Sequence, residues 1–365
     1  MPFLSIPTMI LITTSGTIRN ILIIRYYGTS TSRYRKAAEA CKNKQQPRRR
    51  KTFHAFLVHL AVTDLIACLF IPVYYIPQEI NGRWYYGRFL CRYTVFIPTG
   101  VTIYTSCWIL LGIIYERYRS IVHPFKPKTT TALIHLFCAG AWMLSVAVHI
   151  PYFMSIEYKR AENKTHFVCV NKIVERLPPN IVLLYYVLRL VLQCILPVAV
   201  MIFFYSRIQR ILDRSNRFVK AFTTTNYANT DKVSVNSSVE QHTKSNKAVL
   251  KALRVSLLIF AVTAMLNNTA HVVKAGLRLY FPRFWEGNRS LQICVEICIR
   301  LLAFNNTVNC FVYAGNMKDF KNYILYLFCS KRSRRRIWSI ASTRSKTDSI
   351  DRCKKEKNVN TIRVK

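Results

Sequence analysis

Seven stretches of this chain, approximately 3–27, 53–78, 92–118, 130–153, 181–206, 249–273 and 291–314, are long, apolar and almost empty of charged residues. Each can supply the about 20 mostly apolar residues that a helix needs to cross a bilayer. A soluble globule has no reason to sort its charge in this way. The bulk composition, 51% apolar and 19% charged, would pass as ordinary. The net charge of +38 would suggest a nucleic-acid partner, but the basic residues crowd between the apolar blocks, so none is expected. Aromatic and aliphatic content excludes disorder, and the long apolar runs exclude a small secreted disulfide scaffold. The segments are too long for membrane strands and do not alternate. Prolines inside them (Pro72, Pro98, Pro151, Pro197) are tolerated in lipid. The first stretch is the least clean, interrupted by Arg19 with Arg25 at its inner end. The reading is an all-α membrane protein, a seven-transmembrane-helix bundle over 1–330 followed by a basic cytoplasmic tail over 331–365. The chain has no internal repeat to support an inverted-repeat transporter.

Orientation follows from Lys and Arg in the connections. Segments 28–52, 119–129, 207–251 and 315–365 hold 36 of the 54 basic residues, and the alternate connections hold 12. The first set is therefore expected in the cytoplasm, with the N-terminus outside, the C-terminus inside and the chain multi-pass in the plasma membrane. The sequons at Asn163 and Asn288 then fall in external loops as glycosylation candidates. Few residues precede the first span, which fits either a truncated chain or a first helix that itself directs insertion. The polar 207–248 segment and the tail after Ile340 are expected to be disordered.

Ionisable groups within a membrane are costly and need a reason. Asp64 sits mid-span, Glu116-Arg117-Tyr118 closes the third span, and Asn305, Asn309 and Tyr313 lie one turn apart in the seventh. Trp142 is in the fourth span, and Pro197 with Tyr205 in the fifth. Taken in order, these residues resemble the signature set of the rhodopsin-like (class A) G-protein-coupled receptors over roughly residues 10–330. Glu116-Arg-Tyr-Arg-Ser-Ile-Val-His-Pro124 is similar to the family's Asp-Arg-Tyr motif and second cytoplasmic loop. Asn309-Cys-Phe-Val-Tyr313 resembles Asn-Pro-x-x-Tyr without its proline, and Asn316 to Lys321 resembles the short amphipathic eighth helix. Trp84 with Cys91 resembles the first external loop, with Cys169 as partner in the second.

The resemblance implies roles. Glu116 would hold Arg117 while the cytoplasmic side is closed, and Tyr205 and Tyr313 would be its hydroxyl partners once the helices part. Asp64 and Ser106 would converge with Asn305 and Asn309, either on a sodium ion or on water alone; sodium is the one cofactor implied. Cys91 and Cys169 would form a disulfide. Cys329, before a run of Lys and Arg, is a palmitoylation candidate, and that run is an expected anionic-lipid contact. The chain also departs from the family. Ala264 and Leu266 stand where the sixth helix usually has tryptophan and proline. Cys91 precedes Arg117 by 26 residues, one more than the common spacing, so a bulge or offset is expected in the upper third span.

The upper third span, Arg92 to Thr105, has no acidic residue, and Thr99 falls where an amine receptor would carry one. Ala303 stands where opsins have their lysine. The outer half is rich in cations: Arg189 and Gln193 share a face of the fifth span, His271, Lys274 and Arg278 one of the sixth, and Glu296 and Arg300 one of the seventh. Guanidinium groups recognise carboxylate and phosphate through paired hydrogen bonds. An anionic or peptide ligand is expected, unless Glu296 simply pairs with Arg300 and Lys274 and Arg278 reach interfacial water. The function implied is transduction of extracellular ligand binding to a heterotrimeric G protein. No Walker loop, His-Glu-x-x-His or nucleophile elbow points to an enzyme. A receptor-shaped scaffold or decoy that does not switch, or a seven-helix transporter or channel, remain as alternatives.

Overall fold

The computed structural model describes residues 6–28, 47–127, 129–161, 166–225, 233–299, 301 and 320. Five helices among these are long and apolar enough to cross a membrane: Ile6–Gly28, Thr52–Pro77, Thr131–Met154, Pro179–Ser215 and Leu253–Tyr280. They coincide with the first, second, fourth, fifth and sixth predicted spans. The third span is helix Gly87–Phe96, a π-helical turn Ile97–Val101 and helix Thr102–Val122. The seventh is described over 289–299 and at 301, and is helical there.

The third span sits at the centre of the bundle. Ile103, Cys107, Leu110 and Ile113 are buried in one cluster with Phe56 and Leu60 of the second span, Cys138 of the fourth, Met201 of the fifth and Phe260 of the sixth. Of the predicted eighth helix, Phe320 is described, and its ring lies 5.7 Å from Tyr26 and 6.0 Å from Tyr27 at the end of the first span. The basic tail and Cys329 lie outside the described residues.

One expectation is corrected. The 207–248 segment is helical over 207–225 and 233–248, as the fifth span runs on to Thr225 and the sixth begins at Val233. Extending an existing helix needs only propagation, whose cost is far below that of nucleation. Arg, Lys and Gln suit it, and Gln209 donates to Asp213 one turn on at 3.1 Å.

The extra residue between Cys91 and Arg117 is absorbed by the π-helical turn. The Thr102 N–H bonds the Ile97 carbonyl five residues back rather than four. A single π turn inserts one residue without breaking the helix. Gly100 lies in this turn, and a Cβ there would overlap the His149 ring of the fourth span. That ring cannot step aside, since it is buried, stacked on Tyr104 and bonded to the Ser145 carbonyl at 2.8 Å. Gly100→Ala should therefore cost about 1–3 kcal/mol by overpacking. Thermal unfolding of the purified variant in detergent checks it; an unchanged midpoint would mean that the ring can move.

Outside the bundle the second external connection forms an antiparallel hairpin, β1 (Ile156–Arg160) with β2 (Phe167–Asn171), Tyr158 facing Cys169. This sheet is an addition to the all-α plan. Cys169 is bonded to Cys91 at the top of the third span, with Cα atoms 5.6 Å apart. Gly82 and Gly87, both at positive φ (60° and 73°), turn the first external loop so that Trp84 tucks under the hairpin. Its N–H donates to the Phe167 carbonyl and its indole to the Gly87 carbonyl, both at 2.8 Å.

Candidate functional site

At the cytoplasmic end, Arg117 Nε lies 3.6 Å from Glu116 Oε2. The other Glu116 oxygen accepts from Thr52 Oγ1 at 3.1 Å, and the Arg117 guanidinium lies 3.9 Å above the Phe53 ring. The pair thus leans on the start of the second span. Thr52 and Phe53 were not anticipated, because they fall where the cytoplasmic connection was expected to end. Tyr118 faces the fifth span, its ring 4.8 Å from Phe204. Tyr205 donates its hydroxyl to Gln209 at 3.5 Å on its own helix, so in this arrangement it is engaged away from Arg117. Asn309 and Tyr313 lie outside the described residues.

Midway through the bundle Ser106 donates to Asp64 Oδ1 at 2.9 Å, and both side chains are buried. Two of the four candidate sodium ligands therefore meet; Asn305 and Asn309 are outside the described residues. Among the described residues no cluster of three or more His, Cys, Asp and Glu could hold a metal ion.

The outer half holds a buried polar group around Arg189, which is 2% exposed. Its Nε donates to Asn268 Oδ1 at 3.3 Å, and its guanidinium lies 5.7 Å from the Tyr104 ring centre and 5.5 Å from that of Tyr186. The Tyr104 hydroxyl donates to the same Asn268 oxygen at 2.6 Å. Gln193 meets His149 at 3.5 Å, and His271 stacks on Tyr186 with ring centres 5.7 Å apart. Arg189 pairs with no carboxylate among the described residues.

The other predicted pocket residues behave differently. Lys274 pairs with Glu296 across the sixth and seventh spans. Arg278 reaches Glu175 of the second external loop at 3.9 Å. The Thr99 side chain, Arg300 and Asn163 lie outside the described residues. Asn288 is half-buried and caps the helix over 289–299, its Oδ1 accepting from the Leu291 N–H at 3.0 Å. On the hairpin, the Glu157 carboxyl is held below its ordinary range, first by a hydrogen bond from Arg176, and Lys172 is held up, first by Glu175. His149, Tyr104, Tyr186 and Asn268 were not foreseen as neighbours of Arg189. A histidine within the outer part of a membrane span is itself a signal.

The sequence profile of the 7 transmembrane receptor (rhodopsin family) matches residues 40–313, well over half of the chain. The chain belongs to this family. It is thus a multi-pass membrane protein with a seven-helix bundle, in a family of receptors rather than enzymes. Among its relatives, the Substance-K receptor of Canis lupus familiaris is 29% identical over 161 residues, 44% of this chain and 41% of the relative. The RYamide receptor of Drosophila melanogaster is 29% identical over 165 residues, 44% of this chain and 35% of the relative. The Pyroglutamylated RF-amide peptide receptor of Rattus norvegicus is 26% identical over 294 residues, 77% of this chain and 63% of the relative. In each case the chain spans less than two thirds of the relative's length.

Proposed function

We propose that this chain is a plasma-membrane receptor that binds an extracellular peptide or other ligand through a negatively charged group and activates a heterotrimeric G protein. The single observation that carries the ligand class is Arg189, buried in the outer half with no carboxylate partner among the described residues. A buried cation without a counter-ion is costly, and a ligand carboxylate or phosphate would supply one. The peptide assignment takes support from a relative whose name refers to a peptide. Lys and Arg in the connections support an N-terminus outside and a C-terminus inside. Ligand binding would shift a closed–open equilibrium at the cytoplasmic end, where freeing Arg117 from Glu116 makes a guanidinium available to the transducer.

The test is ligand-independent activation of a panel of G-protein subtypes in cells, normalised to surface expression, with Arg117→Ala beside the wild type. Basal activity altered by the substitution is the expected result. Activity indifferent to Arg117 at equal surface levels counts against this switch. Silence in both favours the second reading, a scaffold or decoy, whose specific support is the sixth helix: it runs unbroken from Val233 to Tyr280, with Ala264 buried and Leu266 exposed in place of tryptophan and proline.

Sodium is proposed at Asp64 and Ser106, with Asn305 and Asn309 completing its oxygen ligands. Added sodium chloride should raise the unfolding midpoint of the wild type more than that of Asp64→Asn, with choline chloride as the ionic-strength control. Equal rises in both would remove the ion from the site.

A further inference from the structure

The fifth span contains a π-helical turn, Val191–Ile195, and below it Leu196, Ala199 and Phe203 follow one another at steps of three and four residues and are exposed on the outside of the bundle. Arg207, Arg210, Arg214 and Arg217 continue the same stripe at steps of four, three, four and three, and all four are exposed. The opposite side of the helix packs on the core through Val198, Met201 and Ile208. The arginines therefore extend the lipid-facing surface and not the inner wall of the bundle. None of the four has a carboxylate partner among the described residues. Asp213, at the edge of the stripe, is bonded by Gln209 at 3.1 and 3.3 Å, and Arg207 rests over Phe203 at 5.4 Å.

Depth favours a lipid occupant. A bilayer with its headgroups is about 40–45 Å thick, which a helix covers in about 27–30 residues at 1.5 Å each. Counted from Pro179, where this helix begins, that distance ends close to Arg207. Arg207 and Arg210 then stand at headgroup level, and Arg214 and Arg217 lie one to two turns beneath it. Serine and choline headgroups end at the surface; a phosphorylated inositol ring projects past it and carries phosphomonoesters that guanidinium groups bind in pairs. We propose that the stripe Arg207–Arg210–Arg214–Arg217 is a binding site for phosphorylated inositol headgroups of the cytoplasmic leaflet.

The full-length receptor would be reconstituted in phosphatidylcholine nanodiscs containing a small fraction of fluorescent phosphatidylinositol 4,5-bisphosphate, with energy transfer from a dye on the receptor as the readout. Wild type should enrich this lipid in a salt-sensitive way. Changing all four arginines to Gln should cut the enrichment about tenfold or more, given the contribution of each basic residue near an anionic surface, while four Lys should keep most of it. Arg210→Gln/Arg214→Gln, checked for monodispersity, serves if the fourfold variant does not fold, and should show an intermediate loss. Equal enrichment in the Gln variants overturns the proposal. So does full displacement by soluble inositol trisphosphate at lipid-equivalent concentration, since the membrane would then add nothing. A Gln variant that keeps its lipid but loses capture of purified G protein would assign the face to protein docking instead.

Discussion

Arg189→Met should leave the unliganded receptor as stable as the wild type, or more so, while weakening its agonist by about 30-fold to more than a thousandfold. Both effects come from one buried charge. The guanidinium is held by one amide oxygen and two aromatic faces, which does not repay its desolvation, and replacing such a group by an apolar chain of similar length is often neutral or stabilising. Asn268 Oδ1 keeps the Tyr104 hydroxyl at 2.6 Å, and the neighbouring Tyr185 hydroxyl is the group that loses a contact. Removing one member of a buried charge pair between ligand and receptor costs about 2–5 kcal/mol. Arg189→Lys should lie between, as it keeps the charge but loses the planar fork. The measurements are thermal unfolding without ligand and dose–response to any agonist found in a screen of peptides bearing free carboxylates. A less stable variant with unchanged potency would make Arg189 a structural residue and refute the anionic-ligand reading.

The two kinds of expectation fared differently for physical reasons. Span positions were legible because the cost of charge in hydrocarbon writes itself into one dimension, and the first, second and fourth described spans lie within a few residues of the predicted ones. The bulge in the third span was legible because a count of residues between Cys91 and Arg117 survives folding, and the turn at Ile97–Val101 absorbs the extra one. Pairings across helices were not legible. Lys274 chose Glu296 on a neighbouring helix, a choice set by how two spans face each other and absent from either sequence segment. Arg189 and Gln193 were placed on one face correctly, yet Asn268, Tyr104 and His149 come from three other spans. Asn268 lies two residues beyond the position where the family's proline is missing, and nothing in its own segment singles it out. The hairpin escaped notice because its strands are five residues each and their register is fixed from outside, by the disulfide and Trp84. The cytoplasmic ends of the fifth and sixth spans are helical although polar, because a helix continuing from a packed span needs only propagation and no apolar face of its own.

Loss of the Cys91–Cys169 bond should destabilise the receptor by about 2–5 kcal/mol, the range for removing a native disulfide. The bond closes a segment of 78 residues and fixes the hairpin to the top of the third span. Trp84, Val95 and Ile156 are buried around the two sulfurs, so detaching the hairpin also opens that cluster to water. The test lies in how the substitutions combine. A bond needs both sulfurs, so Cys91→Ser, Cys169→Ser and the double variant should all lower the unfolding midpoint by nearly the same amount, and reductant should shift the wild type towards them. Two independent buried thiols would instead give losses that add. Cys294→Ser is the control, since that cysteine is free and exposed, and it should change nothing. Additive losses with no response to reductant would mean that the hairpin is held by packing and backbone hydrogen bonds alone. The Trp84 N–H to Phe167 bond would then be its main tether, and Phe167→Pro, which keeps that carbonyl but removes the N–H and stiffens the strand, would become the more damaging change. The disulfide reading requires the reverse order.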